Sequence, residues 1–116
     1  MKNIIMGIYA FTLIFISTGS YADTHCDNNS CTGKIKRVYP TNNGDVYFEL
    51  HDISSAASAL SCSLVENIYF KLEKNHDNKR EIYSIAVSAA FKEFDIRFRL
   101  NDTGDCGVSY VMLDNL

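Results

Sequence analysis

The sequence predicts a small, mainly β domain of five strands with one α-helix between the third and fourth. Three observations carry that reading. Apolar and β-branched residues alternate in short runs separated by turn residues. One run, Lys79 to Glu93, shifts to an apolar spacing of three and four. From Phe94 strict alternation resumes, with no glycine or proline to mark the break.

Residues 1–22 stand apart from the fold. Lys2 gives a positive start, Ile4 to Ile16 is an uncharged, predominantly apolar run of 13 residues, and "STGSYA" is a polar exit. Ser20 and Ala22 place small residues at the −3 and −1 positions of a cut before Asp23, the pattern of a cleaved signal peptide. The run is short of the ~20 residues that a membrane-spanning helix needs. The expected mature chain is residues 23–116, a single exported domain, periplasmic or secreted, with no membrane span after cleavage.

"CTGKIKRVYPTNNGDVYFELHD" (31–52) reads as a hairpin. Asn43-Gly44 supplies the positive φ angles of a type I′ turn, and Pro40 ends the first arm where a lost N–H is tolerated. In the second arm Val46, Phe48 and Leu50 share one face, with Asp45, Tyr47 and Glu49 on the other. "ISSAASALS" (53–61) is small and polar, fits a loop or a single helical turn, and reads as a connection. "ENIYFKLEK" (66–74) is the third strand, Ile68, Phe70 and Leu72 inward, Tyr69 and Lys71 outward.

"NHDN" (75–78) is turn chemistry, and Asn78 with Glu81 fits a capping box for a helix from Lys79. Ile82, Ile85, Ala86, Ala89 and Ala90 form its apolar stripe, with Phe91 at the edge. The alanines predict close packing. Phe94, Ile96, Phe98 and Leu100 then alternate with Asp95, Arg97 and Arg99. After "NDTGD", the last strand has apolar residues on both faces and reads as interior.

Strand, strand, strand, helix, strand, strand is the order of the OB-fold, a five-stranded Greek-key barrel whose helix closes one end. A β-sandwich fragment and an α+β meander are the alternatives. An OB barrel places the starts of its third and fifth strands side by side, where Cys62 and Cys106 stand. That predicts a Cys62–Cys106 bond, contributing roughly 4 kcal/mol on the chain-entropy model, and a local Cys26–Cys31 bond of ~2 kcal/mol. The rival pairing puts Cys31 in a barrel bond and leaves Cys26 on the N-terminal tail. Four cysteines in a small exported chain fit two disulfides. A metal site is not expected, because Cys26-x4-Cys31 beside His25 lacks a second close ligand pair.

Past residue 22 the chain holds 10 basic and 14 acidic residues. Nucleic-acid binding through phosphates needs the opposite balance. The basic groups "KIKR" (34–37) and "RFR" (97–99) read as solvated strand faces.

"CTGKIKRVYPTNNGDVYFEL", "CSLVENIYFKL", "IYSIAVSAAFKEFDIRFRL" and the final "CGVSYVML", behind a signal peptide, resemble a family of small exported bacterial OB-fold-like proteins of unassigned function. More distantly, the helix followed by "FDIRFRL" and the cysteines are similar to the B subunits of subtilase-cytotoxin-like and pertussis-like toxins. That resemblance implies a homo-oligomeric ring that binds cell-surface glycans.

OB barrels usually bind ligands on the outer face of the second and third strands. Here that face offers Tyr47, Glu49, Tyr69 and Lys71. Tyrosine rings suit the apolar side of a sugar and the charges suit its hydroxyls. The expected function is a non-catalytic binding module without a cofactor, its partner a glycan or another protein. A periplasmic inhibitor or envelope-stress protein is the alternative. A small exported hydrolase is weaker: Asp45, Glu49 and Asp95 are its only candidate carboxylates, and His25, His51 and His76 stand in no catalytic motif.

Overall fold

The computed structural model describes residues 24–101 and 104–114. The expected signal peptide lies outside them. The described chain is mainly β, in two antiparallel sheets. Strands β1 (His25–Cys26), β2 (Ser30–Gly33), β6 (Ile96–Leu100) and β7 (Val108–Met112) form one sheet, in the order β1-β2-β6-β7. Strands β3 (Ile35–Pro40), β4 (Val46–Leu50) and β5 (Phe70–Leu72) form the other, in the order β3-β4-β5. Helix α1 (Ile53–Ala56), with a 3₁₀ turn at Ala57–Ala59, follows β4; helix α2 (Lys79–Lys92) follows β5.

A closed five-stranded barrel is not found among the described residues. The expected first arm is divided at Lys34, its two halves pairing in different sheets: β2 with β6, β3 with β4. The sheets also meet at one parallel bridge, Lys71 to Gly107, beside the start of β7.

The core explains the two-layer form. Phe48 and Phe70 from one sheet and Phe98 from the other are fully buried. Phe98 lies 5.1 Å from Phe48 and 5.0 Å from Phe70 between ring centroids, the spacing of offset aromatic pairs. Leu50, Leu72, Ile96 and Leu100 fill the space around them. One disulfide joins Cys26 to Cys31 and closes the β1–β2 turn; the other joins Cys62 to Cys106.

Several local expectations need correction. At the hairpin, Asn43 has no positive φ, so the turn is not type I′; only Gly44 does, at 99°. Gly44 N–H bonds to Thr41 O and Thr41 N–H to Asp45 O, the pattern of a three-residue loop with a glycine bulge. Asn43 Oδ1 instead accepts from Thr41 Oγ1 and Asp45 N–H. Of the loop or single helical turn expected within residues 53–61, the turn forms, because buried Ile53 anchors α1 against the core. The third strand shrinks to Phe70–Leu72, since Glu66 and Asn67 both take positive φ and fold the chain into a tight turn bridged from Val65 to Tyr69.

Helix α2 starts at Lys79, but Asn78 makes no side-chain cap bond; its N–H donates to His76 Nδ1 at 3.0 Å. His76 Nε2 lies 2.8 Å from Ser109 O, so the ring ties the helix start to β7 and carries its proton on Nε2. The buried stripe is Ile82, Ala86 and Ala89, with Tyr83 and Ala90 partly covered; Ile85 and Phe91 face outward. The helix ends without glycine because Glu93 itself takes the left-handed conformation, φ 55°. Phe94 N–H then bonds to Ala89 O at 3.0 Å and Glu93 N–H to Ala90 O at 3.3 Å, the pair that defines a Schellman cap. This cap delays the strand from Phe94 to Ile96 and leaves Phe94 exposed. Finally, β7 lies at a sheet end rather than in the interior, with Tyr110 exposed.

Candidate functional site

The hairpin register builds a tyrosine cluster on the outer face of the β3-β4-β5 sheet. Tyr39 of β3 stands opposite Tyr47 of β4, and Tyr47 opposite Lys71 of β5. Tyr69, just before β5, completes the group. Tyr47 and Tyr69 stack with centroids 5.6 Å apart. Tyr39 meets both at an angle, 5.9 Å from Tyr47 and 5.8 Å from Tyr69. Exposure ranks them: Tyr69 is 6% exposed and forms the floor, Tyr47 is half-buried, and Tyr39, 45% exposed, stands as the open wall.

The charges around this cluster are arranged in pairs. Arg37 Nη1 donates to Tyr69 Oη at 3.0 Å and lies 3.4 Å from Glu49 Oε1. Lys36 Nζ is 3.7 Å from Glu49 Oε2. The bond to Tyr69, ahead of the Glu49 carboxylate, holds Arg37 above its ordinary guanidinium range. Across the sheet, Lys71 Nζ reaches Asp105 Oδ2 at 3.3 Å, which raises the Lys71 ammonium above its ordinary range.

Of the four expected contact residues, the structure brings Tyr47, Tyr69 and Lys71 onto one face, but Tyr69, 6% exposed, is covered by the rings of Tyr39 and Tyr47 and is not the outward contact expected. Glu49 differs from expectation. It points to the outer side but is only 6% exposed, and its Oε1 is buried without a hydrogen bond. Beneath two cations it orients Arg37 and Lys36; it does not face solvent. Its burial follows from the bulge between Ile35 and Arg37, which turns Lys36 and Arg37 toward the same carboxylate.

Two residues of the face escaped the sequence reading, Arg37 and Tyr39. The signal was present: residues two apart on a strand share a face, and a hairpin about residue 43 sets Tyr39 opposite Tyr47. The candidate hydrolase carboxylates are each engaged separately. Asp95 pairs with Lys34 at 2.8 Å, Asp45 accepts Lys74 N–H at 2.9 Å, and Glu49 faces Arg37. Among the described residues no group of three or more His, Cys, Asp or Glu is placed to hold a metal ion, and no helix is long and apolar enough to cross a membrane. Comparison with family models, curated proteins and solved structures returns no match to this chain.

Proposed function

We propose that this chain is an exported, non-catalytic binding module whose tyrosine face receives a hydroxylated ligand with an apolar side, a glycan being the class that fits best. One observation carries the reading: three tyrosine rings in mutual contact, the outermost nearly half exposed, with Arg37 and Lys71 on either side. A ring such as Tyr39 covers the C–H side of a sugar, while phenol, guanidinium and ammonium groups bond its hydroxyls. Pre-packing on Tyr47 and Tyr69 reduces the side-chain entropy lost when a ligand docks.

The same proposal takes the two sheets as halves of an OB-type barrel. The antiparallel pairs β3·β4, β4·β5, β2·β6 and β6·β7, the division at Lys34 and the parallel Lys71–Gly107 bridge support it. On that view the tyrosine face spans the outer side of barrel strands one to three, Tyr39 on the first and Tyr47 and Tyr69 on the usual ligand side of the second and third. A glycan array probed with wild type and with Tyr39→Ala tests the reading. Tyr39 is exposed, so its replacement leaves the fold intact; loss of the wild-type signals is expected. Identical profiles would remove the site.

A further inference from the structure

A second surface lies on the other side of β3. Among the described residues β3 pairs with β4 alone, so its second edge has no backbone partner. The hairpin bond from Thr41 N–H to Asp45 O sets the phase of the ladder. Counting back by twos, Tyr39 and Arg37 face β4, which turns the N–H and C=O of Val38 outward. Helix α2 runs along this edge and leaves a groove of about 360 Å³ lined by Val38, Tyr83, Val87, Ala90 and Phe91. Phe91 is 84% exposed on its lip.

The rim is basic. Lys36 and Arg37 border the groove with about half of each side chain exposed, and the single carboxylate Glu49 serves both. Tyr83 also lines a neighbouring cleft with Lys79 and Arg80. Among the described lining residues of both there is no acidic group, although the chain as a whole is acidic.

We propose that this groove binds an extended acidic peptide segment of another protein, added as a strand to the open edge of β3. The outward backbone of Val38 calls for an extended chain, the apolar floor takes every second side chain, and Lys36 and Arg37, with Lys79 and Arg80 of the adjoining cleft, take carboxylates from the rest. A second copy of this chain is the less suitable occupant: laying down its own β3, it brings the same Lys36 and Arg37 to the seam. The cationic side chains along the edge also repel those of a second copy laid against it. The groove shares Arg37 with the tyrosine face but takes its floor from the other side of the strand, since Val38 and Tyr39 point to opposite sides.

Fluorescence anisotropy of a labelled octapeptide of alternating Glu and Val, titrated with the purified protein, tests this. Saturable binding is expected, at least tenfold weaker for an alternating Lys and Val octapeptide. Phe91→Asp should weaken it at least tenfold, and circular dichroism checks that the exposed substitution leaves the fold unchanged. N-methylation of the peptide's central amides, which alters no residue of the protein, should weaken it similarly by removing strand hydrogen bonds. No binding, equal binding of both peptides, or indifference to Phe91→Asp and to N-methylation would overturn the proposal. So would a dimer in sedimentation that Phe91→Asp dissolves without any peptide binding, because the groove would then belong to a second copy.

Discussion

Glu93 holds a backbone conformation that glycine usually takes, and this strain has a measurable size. A left-handed conformation costs a side-chain-bearing residue roughly 1–2 kcal/mol, while the two cap bonds it permits close the end of α2. Glu93→Gly keeps those bonds and relieves most of the strain, at some cost in unfolded-chain entropy. It should raise stability by about 1 kcal/mol, read as a higher denaturation midpoint. Asp27 illustrates the opposite case, a polar residue well satisfied. Its Oδ1 accepts the N–H of Asn29, the N–H of Ser30 and the hydroxyl of Ser30, and these bonds, the first above all, hold its carboxyl below the ordinary 3.8. A depressed carboxyl contributes stability above its unfolded value, and that stability is lost as pH falls through the folded value. Asp27 is exposed, so the contribution is only about 0.5 kcal/mol. Asp27→Asn should therefore lower stability at pH 7 by about 0.5 kcal/mol and flatten the fall of melting temperature below about pH 4, where the two proteins converge.

At the scale of elements, α2 is held by packing more than by capping. Asn78 occupies the N-cap position without a cap bond, so Asn78→Ala should cost well under the ~1 kcal/mol typical of an N-cap loss. A chemical denaturation curve for that variant separates the two outcomes. By contrast, Ala86 and Ala89 are fully buried where the helix meets the sheets, and enlarging either should cost on the order of 1–3 kcal/mol through overpacking. The two disulfides also differ. Cys26–Cys31 spans 5 residues and Cys62–Cys106 spans 44. On the chain-entropy model, replacing the long-range pair by serines should cost roughly 4 kcal/mol and the local pair about 2 kcal/mol. Equal losses would show that the short loop does more than restrict the unfolded chain.

For the whole molecule, two sheets are joined by the Phe48–Phe98–Phe70 contact, the Lys34 division and the Cys62–Cys106 bond, and the outer side of one sheet carries the tyrosines. Phe98→Ala removes the ring shared by both sheets and should cost about 3–5 kcal/mol. Much of this plan was legible beforehand. The alternation of Ile96 to Leu100 and the spacing of Ile82, Ala86 and Ala89 mark their elements because burial on one face leaves a period in the sequence. Division of the first arm at Lys34 left no such mark, since a bend between two sheets needs no change of period. Nor did the burial of Glu49, which depends on a bulge that alternation conceals. Tyr47, Tyr69 and Lys71 were visible as a face, yet Tyr39 and Arg37 were visible only through the hairpin register. Binding at that face is the central claim, and it can be mapped directly. In a heteronuclear NMR titration with the oligosaccharide that gives the strongest array signal, amide shifts should centre on residues 37–39, 47–49 and 69–71, and Tyr39→Ala should abolish them. Shifts confined to other surfaces, or unchanged by Tyr39→Ala, would contradict it.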